Sequence, residues 1–365
     1  SLNHKPLRTM LGYSISCHAT MYTGTYPDEH KICFKWIFDP KKSPYGLVSN
    51  IPEAPLLRSP NFKAFISKAL SFLLKNTSFM DYDYIVHNSF RNWKYFDTNE
   101  KKYWDEENYA GNDIDTIFEI VRRNKLSHKF SGLHRPNCGL LSSLKVQEPS
   151  DWVYYFIGET DDVSHKFGPE SKETISFLKK VDDFIEKRYI EFSEKYDDFS
   201  FLFWSDHGHL PIKKRINIYK TFEQNNMNIN HYIHIIDSTT ARFLCSNMEE
   251  AKIIHSLMSG VKGINFISKN KLKSMNLPIE SKYFGHLFYV VDGGYTFSPT
   301  IHGYNKSAIS MHGYLPDIPN YDGIVVSNIS LRDGDLNLID VFSTLLNSMG
   351  ISHKPKDSID MCVRN

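Results

Sequence analysis

Residues 201–208 read FLFWSDHG, a short apolar run that passes without a break into an aspartate, a histidine and a glycine. Four consecutive apolar residues are typical of a strand that is buried on both faces. Charged and imidazole groups at the mouth of such a strand must be paired or coordinated, and Gly208 tolerates backbone angles that other residues avoid. The segment therefore predicts a functional loop at the end of a strand in an open α/β sheet.

Two other segments also indicate strands of this sheet. Residues 152–157 are apolar and lead into Gly-Glu-Thr-Asp-Asp, and residues 323–327 form a similar run near the end of the chain. Between the segments 152–157 and 201–204, residues 170–196 carry apolar side chains at steps of three and four. This pattern predicts an amphipathic helix and a right-handed parallel crossover. We therefore predict an α/β fold, with a mostly parallel central sheet flanked by helices on both faces.

Residues 51–133 differ in texture from the rest of the chain. Their first half has apolar residues at helical spacing, and a polar, aromatic run follows around Trp93 and Trp104. We interpret 51–133 as an inserted, aromatic-rich helical cap. Residues 1–50 and 134–365 then form the catalytic core.

The bulk composition argues against two classes of partner. The chain of 365 residues has 43 basic and 42 acidic side chains, so no net field attracts a nucleic-acid duplex. The longest apolar runs fall short of the roughly 20 residues that span a bilayer, so we expect no transmembrane segment. Five scattered cysteines without a C-x-x-C pair indicate neither a disulfide framework nor a cysteine zinc site, and they favour the cytoplasm. A signal peptide preceding Ser1 would change that localisation.

Two short motifs have the residue types of metal ligands. Asp161 and His165 are four residues apart, which lets both reach one metal ion from a single turn. Asp206 and His207 are adjacent and can straddle a sharp loop. His209 follows directly, and there we expect a supporting hydrogen bond rather than coordination.

Two further segments leave alternatives open. His302 and His312 each begin a His-Gly-Tyr element, and the pattern alone does not decide which of them belongs to a site. Near the start of the chain, Ser14, Ser16 and Thr20 are all eligible nucleophiles, because a metal ion at a helix N-terminus would activate a hydroxyl there.

Taken together, the motifs resemble the alkaline phosphatase superfamily, in particular its nucleotide pyrophosphatase/phosphodiesterase branch. That branch has Thr-Gly-x-x-Pro-x-x-His, found here at 23–30, then Asp-x-x-x-His with Gly-Pro beyond, at 161–169. Ser-Asp-His-Gly follows at 205–208 and a late His-Gly at 312–313. Four elements in the same order span nearly the whole chain.

The resemblance implies a role for each matching residue. Ser14 is the expected nucleophile, forming a phosphoseryl intermediate with a small-molecule phosphate ester such as a phosphodiester or nucleotide pyrophosphate. Two divalent metal ions, expected to be Zn²⁺, are the implied cofactors. The resemblance makes Asp161, His165 and His312 ligands of the first ion, and Asp206, His207 and the Ser14 oxygen ligands of the second.

The sequence departs from the family pattern in two places. The family has a further aspartate ligand upstream of the nucleophile, and the 13 residues before Ser14 contain no aspartate. We therefore expect an N-terminally truncated core that lacks its first strand. Where the family has an asparagine that holds phosphate, this chain has Lys35, a candidate phosphate-binding residue.

Other functions remain as alternatives. A phosphomonoesterase or a sulfatase belongs to the same superfamily, and residues 17–21 come close to the sulfatase motif Cys-x-Pro/Ala-x-Arg, with Met21 in place of the arginine. A catalytically impaired protein that binds a carbohydrate or a lipid headgroup would use the aromatic cap for stacking.

Overall fold

The fold is described from a computed structural model of the chain. It describes residues 2–52, 59, 62, 63, 65, 66, 69, 88–99, 102–111, 113–134, 138–145, 148, 150–300, 308–353 and 355–364. Strands and helices are numbered below in chain order within these residues.

The strands are β1 (Asn3–Leu7), β2 (Trp36–Phe38), β3 (Phe96–Thr98), β4 (His128–Ser131), β5 (Trp152–Tyr155), β6 (Leu202–Trp204), β7 (Leu210–Pro211), β8 (Lys214–Ile216), β9 (Ile233–Ile236), β10 (Thr240–Leu244), β11 (Ile264–Phe266), β12 (Leu287–Val291), β13 (Tyr295–Phe297), β14 (Ser310–Met311) and β15 (Gly323–Ser327). The α-helices are α1 (Ser14–Thr23), α2 (Pro27–His30), α3 (Phe90–Trp93), α4 (Ile117–Arg123), α5 (Glu159–Phe167), α6 (Lys172–Lys195), α7 (Ile218–Gln224), α8 (Met248–Ser259), α9 (Lys269–Ser274), α10 (Ser281–Phe284) and α11 (Asp340–Ser348).

The sheet that positions the site has three strands in the order β1-β15-β6. The central strand β15 is antiparallel to both neighbours, with Leu7 opposite Gly323 and Trp204 opposite Val325. The outer strands β1 and β6 therefore run in the same direction, and both end at the same edge. This arrangement brings the start of α1 next to the loop 205–209.

The predicted mostly parallel central sheet is not confirmed by the strand pairing. Among the described strands, only β4–β5 and β8–β13 are parallel pairs. Strand β15 lies between β1 and β6 and runs in the opposite direction. Its apolar composition predicts a strand but does not indicate the direction of that strand. The predicted crossover strands β5 and β6 lie in different sheets.

The amphipathic helix between these strands is present as α6, although its apolar face is only partly covered. Val181 is buried, whereas Ile175, Leu178 and Ile190 are each 45–46% exposed. Further along the chain, residues 232–245 contain the antiparallel pair β9–β10, and the helices α8 and α11 follow.

Two elements within the proposed cap contact the rest of the chain. Strand β3 pairs with β2, which belongs to the first core segment. Helix α4 begins with a capping box between Thr116 and Glu119, and its Phe118 packs against Trp152 of β5. Most of the predicted helix around 62–73 lies outside the described residues, and the division into core and cap stays a prediction.

Two expectations about the class of protein can be compared with the structure. All five cysteines are free. Within the described part of the chain, no helix combines the length and the apolar character needed to cross a bilayer.

Helix α1 is fixed at its C-terminal end by Gly24. This glycine has a φ of 64°, and a Cβ built on it would lie 2.3 Å from the ring of Phe342 in α11. Only glycine combines a left-handed backbone with this close approach. The Thr-Gly of residues 23–24 therefore sets the orientation of the helix that begins with Ser14.

We expect Gly24→Ala to lower the free energy of unfolding by about 2–4 kcal/mol, because backbone strain and overlap with Phe342 add. Gly350 is the matched control, with a φ of 68° and open space around its Cβ position. The variant Gly350→Ala should lose only the strain, about 1–2 kcal/mol. Urea unfolding of both variants measures the difference, and equal losses would contradict the packing role of Gly24.

Candidate active site

Ser14 lies at the first position of α1, with its hydroxyl directed at the loop after β6. Its Oγ is 3.0 Å from Nε2 of His207. The residue before it, Tyr13, is the N-cap and makes no side-chain capping hydrogen bond. Helix α1 has no acidic residue in its first turn, so the positive end of its dipole is not neutralised there.

The other two eligible hydroxyls have structural partners. Ser16 is buried and its Oγ donates to the backbone carbonyl of Tyr13, over a distance of 3.1 Å. Thr20 is buried and its Oγ1 lies 3.1 Å from Nε2 of His30. Of the three candidates, Ser14 is therefore the one that the structure places against predicted metal ligands.

The first set of donors consists of Asp161, His165, His209 and His312, whose ligand atoms all lie within 4.8 Å of one another. Asp161 and His165 are one turn apart on α5, which is the arrangement that their spacing predicted. Nε2 of His209 lies 2.7 Å from the Asp161 carboxylate, and Nε2 of His312 lies 3.4 Å from it. His302, the competitor of His312, lies outside the described residues.

His209 belongs to this set, although its sequence context predicts only a supporting hydrogen bond for it. Two histidines after Asp206 offered the same chemistry, and residue spacing does not show which imidazole turns towards α5. His207 and His209 are separated by one residue in a loop that leads into β7. This alternate spacing is the sequence feature that could have indicated two different directions for their imidazoles. In the structure, each of them faces a different donor set.

Ser310 on β14 orients two of these imidazoles. Its backbone carbonyl lies 2.9 Å from Nδ1 of His165, and its hydroxyl lies 3.2 Å from Nδ1 of His209. The same hydroxyl donates to the carbonyl of Ser164 at 2.6 Å, so it accepts from His209. Ser310 therefore contacts Nδ1 of both imidazoles, and their Nε2 atoms face the Asp161 carboxylate.

Burial and mutual contacts shift the pKa values of this set in different directions. Burial alone raises the pKa of Asp161, but the neighbouring His312, His165 and His209 outweigh it and hold the pKa well below its usual range. Burial lowers the pKa of His312, and the nearby His207 lowers it further. Burial also acts to lower the pKa of His165, but the contact with Asp161 outweighs it and raises that pKa.

The second set contains Asp206, His207 and Ser14. Nε2 of His207 is 3.3 Å from Oδ2 of Asp206. This Oδ2 atom is buried and has no hydrogen-bond partner among the described residues. The rings of His207 and His312 stack, with their centroids 4.0 Å apart and an angle of 12° between the ring planes. The two donor sets are therefore in direct contact.

Gly208 is needed in this loop for a reason other than the predicted one. Its φ is not positive, so the expectation of unusual backbone angles is wrong. A Cβ at this position would lie 2.9 Å from the carbonyl of Tyr321, to which the Gly208 amide donates at 2.8 Å. The missing side chain allows this close backbone approach.

His18 lines the second set, although it belongs to none of the motifs that predict metal ligands. Its Nε2 lies 3.5 Å from Oδ2 of Asp206. Burial lowers the pKa of His18 to about 4, although Asp206 acts in the opposite direction. The position is one helical turn after Ser14, and helical spacing is the signal that points to it.

Lys35 and the aromatic residues of the predicted cap are partly or fully buried, each in its own packing environment. Lys35 is half-buried just before β2, and its backbone carbonyl accepts a hydrogen bond from the amide of Asn99 at 2.8 Å. Trp93 is fully buried beside Phe90. Trp104 is 8% exposed and packs edge-on against His18, with ring centroids 4.4 Å apart.

Solved structures share the fold of this chain. Murine ectonucleotide pyrophosphatase/phosphodiesterase 5 matches with a TM-score of 0.64 at 14% identity, covering 97% of this chain and 88% of that one. An inactive variant of the murine protein in complex with AMP matches with a TM-score of 0.65 at 13% identity, with the same coverage. The human protein gives 0.63 at 12% identity, covering 96% and 87%. These likenesses define the class, an alkaline phosphatase-like α/β fold.

Sequence comparison defines the family. The model of the family described as type I phosphodiesterase / nucleotide pyrophosphatase matches residues 12–314. Bis(5'-adenosyl)-triphosphatase ENPP4 of Pongo abelii is 22% identical over 222 residues, which are 57% of this chain and 46% of that protein. The match thus spans about half the length of this curated relative. The chain belongs to the type I phosphodiesterase / nucleotide pyrophosphatase family, and the family predicted from its motifs is confirmed.

If the first donor set holds Zn²⁺, we expect Ser310→Ala to weaken its binding by about 10- to 100-fold, because His209 loses the hydroxyl that orients its ring. Competition with a chromophoric chelator measures this affinity. Ser193→Ala is the control, since Ser193 donates only to Ile190 on the exposed face of α6. Unchanged zinc affinity in Ser310→Ala would show that the hydroxyl does not support the site.

Proposed function

We propose that this chain is a metal-dependent hydrolase that cleaves a phosphodiester or a nucleotide pyrophosphate through a covalent phosphoseryl intermediate on Ser14. The observation that carries the proposal is the 3.0 Å contact between Ser14 Oγ and His207 Nε2, between two adjoining sets of carboxylate and imidazole donors. Family membership supports the same class of reaction.

The first donor set fits one divalent ion, and we propose that the second set helps to hold another, with Zn²⁺ as the best match for both. Mixed imidazole and carboxylate ligands suit zinc. The buried Oδ2 of Asp206 has no hydrogen-bond partner among the described residues, and a cation would compensate its charge. Asp161, His165, His209 and His312 would hold one ion, and Asp206 and His207 would help to hold the other. Bound there, the ions would activate the hydroxyl and stabilise charge on the phosphate.

The chain's own residues then position and attack the substrate. The N-terminus of α1 offers its positive dipole end to the phosphate beside Ser14. The Ser14 hydroxyl gives up its proton to solvent, and Oγ forms a bond to phosphorus. The bond to the leaving oxygen breaks, and the leaving group departs with its electron pair and takes up a proton from solvent. Water then cleaves the Ser14–phosphorus bond, releasing the phosphate product and restoring the hydroxyl.

A nucleotide is the substrate class that the relatives favour. One solved relative is described in complex with AMP, and another relative is named as a bis(5'-adenosyl)-triphosphatase. We extend these properties to this chain as part of the proposal. Lys35 stays a candidate phosphate-binding residue, because it stands where the family has an asparagine that holds phosphate.

The alternatives receive less support from the described residues. Cys17, the candidate for sulfatase-type conversion, is fully buried with its sulfur 3.9 Å from Thr9 Oγ1, and burial raises the pKa of its thiol. The cap aromatics Trp93, Phe96 and Trp104 are buried in packing contacts, which removes them as stacking surfaces for a glycan.

We expect Ser14→Ala to lower hydrolysis of para-nitrophenyl thymidine monophosphate by about 1000-fold or more, because the nucleophile is lost. The control is Ser16→Ala, which changes a hydroxyl two residues away that contacts the backbone, and it should retain most of the wild-type rate. Para-nitrophenyl phosphate, assayed in parallel, ranks monoesterase against diesterase activity. Activity that survives in Ser14→Ala would overturn the assignment of the nucleophile.

A further inference from the structure

Thr239 connects two segments that carry functional side chains, the start of α1 and the loop after β14. It lies in the turn between β9 and β10 and is fully buried. Its Oγ1 donates to the backbone carbonyl of Gly313 at 2.6 Å and lies 2.8 Å from the hydroxyl of Tyr13. Tyr13 directly precedes Ser14, and Gly313 directly follows His312. One hydroxyl therefore contacts the residue next to the proposed nucleophile and the residue next to a proposed metal ligand.

We propose that Thr239 is a positioning residue, whose hydroxyl holds the start of α1 and the His312 loop in a fixed relative position. It acts on Ser14 through Tyr13 and on His312 through Gly313. This inference rests on the proposed function, because it assigns Thr239 a role towards the nucleophile and a ligand of the first donor set in that same site.

The hydrogen bonds of Thr239 form a network with a defined direction. Its single hydroxyl proton goes to the Gly313 carbonyl, because a carbonyl can only accept. Thr239 Oγ1 therefore accepts from the Tyr13 hydroxyl, whose oxygen in turn accepts from the Thr239 amide at 2.9 Å. Loss of the Thr239 hydroxyl would leave both the Gly313 carbonyl and the Tyr13 hydroxyl without this partner.

Gly313 allows these residues to approach so closely. Its φ is 87°, and a Cβ there would lie 2.4 Å from the Tyr13 ring and 2.8 Å from Thr239 Oγ1. Its amide also donates to the Tyr321 hydroxyl at 2.6 Å, so Gly313 is held at both its amide and its carbonyl. The ring of His312 packs edge-on against Tyr13, with centroids 5.7 Å apart. The two ends of the network are therefore also in direct contact.

The turn that carries Thr239 is fixed by two other strands. The carbonyl of Thr239 accepts from the amide of Val291 in β12 at 3.0 Å. The carbonyl of Ser238 accepts from the amide of Phe297 in β13 at 2.8 Å. A hydroxyl on a turn that is anchored in this way can set the position of the segments that it bonds.

A purely structural role would be that of an ordinary buried threonine. Thr344 in α11 is of that kind: it is fully buried, donates to the carbonyl of Asp340 at 2.7 Å and accepts from the amide of Met361 at 2.8 Å. Thr239 likewise donates to a carbonyl and accepts one bond, but its partners lie 226 and 74 positions away along the chain and adjoin the site residues. This difference makes Thr344 the matched control.

The test compares Thr239→Val, which removes the hydroxyl and nearly keeps the shape, with Thr239→Ser, which keeps the hydroxyl and removes a methyl group. Hydrolysis of para-nitrophenyl thymidine monophosphate gives kcat and KM, and competition with a chromophoric chelator gives the zinc affinity of the first donor set. We expect Thr239→Val to lower kcat by about 10- to 100-fold with KM within about 3-fold, and to weaken zinc binding about 10-fold. Thr239→Ser should recover most of both losses.

Two further variants separate positioning from stability. Tyr13→Phe keeps the ring beside His312 and the bond from Thr239 to Gly313, so it should lower kcat about 10-fold and leave the zinc affinity unchanged. Thr344→Val should retain kcat, KM and zinc affinity, although urea unfolding should show a loss of stability comparable to that of Thr239→Val. If Thr239→Val does not fold, Tyr13→Phe decides, since wild-type kcat in that variant refutes the inference and lowered kcat at unchanged zinc affinity supports it.

The outcomes separate this inference from the proposed function. Wild-type kcat and zinc affinity in Thr239→Val would overturn the role of Thr239 and leave the hydrolase intact. Equal losses of kcat in Thr239→Val and Thr344→Val, or in Thr239→Val and Thr239→Ser, would also overturn it, because lost packing or stability would then explain the effect. Wild-type protein that neither binds zinc nor hydrolyses the ester would overturn the proposed function itself, and the role of Thr239 with it.

Discussion

The contact between Ser14 and His207 joins residues 193 positions apart, and the geometry of the site depends on it. It forms because β15 holds β1 and β6 on its two sides with their ends at one edge. Helix α1 follows β1, and the loop 205–209 with Asp206 and His207 follows β6. A change in the pairing of β15 would therefore move Ser14 and its partners relative to each other.

The residues of the Thr-Gly-x-x-Pro-x-x-His signature hold α1 rather than take part in chemistry. Thr23 bonds back to the carbonyl of Ala19, Gly24 admits Phe342, and His30 binds Thr20. Ser14 lies at the opposite end of the helix. A signature that begins nine residues after Ser14 is thus a constraint on the direction in which Ser14 points.

Sequence reasoning was most informative where chemistry and local geometry coincide. Asp161 and His165 were paired correctly in space because four residues make one helical turn, and Asp206 and His207 because charged groups after a buried strand need partners. The direction of β15 was not predictable, because pairing direction depends on distant segments. His18 was missed because a lone histidine inside an apolar helix resembles core. The role of His209 depended on which way a loop turns, which spacing does not encode.

The antiparallel placement of β15 also has a consequence for how the molecule is made. Asn3 at the start of the chain pairs with Ser327 near its end. During synthesis, β1 therefore emerges long before its partner, and its hydrogen-bonding edge stays open while most of the chain is produced. Such long-range pairing raises contact order and slows folding. A nascent chain that ends before His312 lacks a ligand of the first set, so the complete site forms only late in biosynthesis.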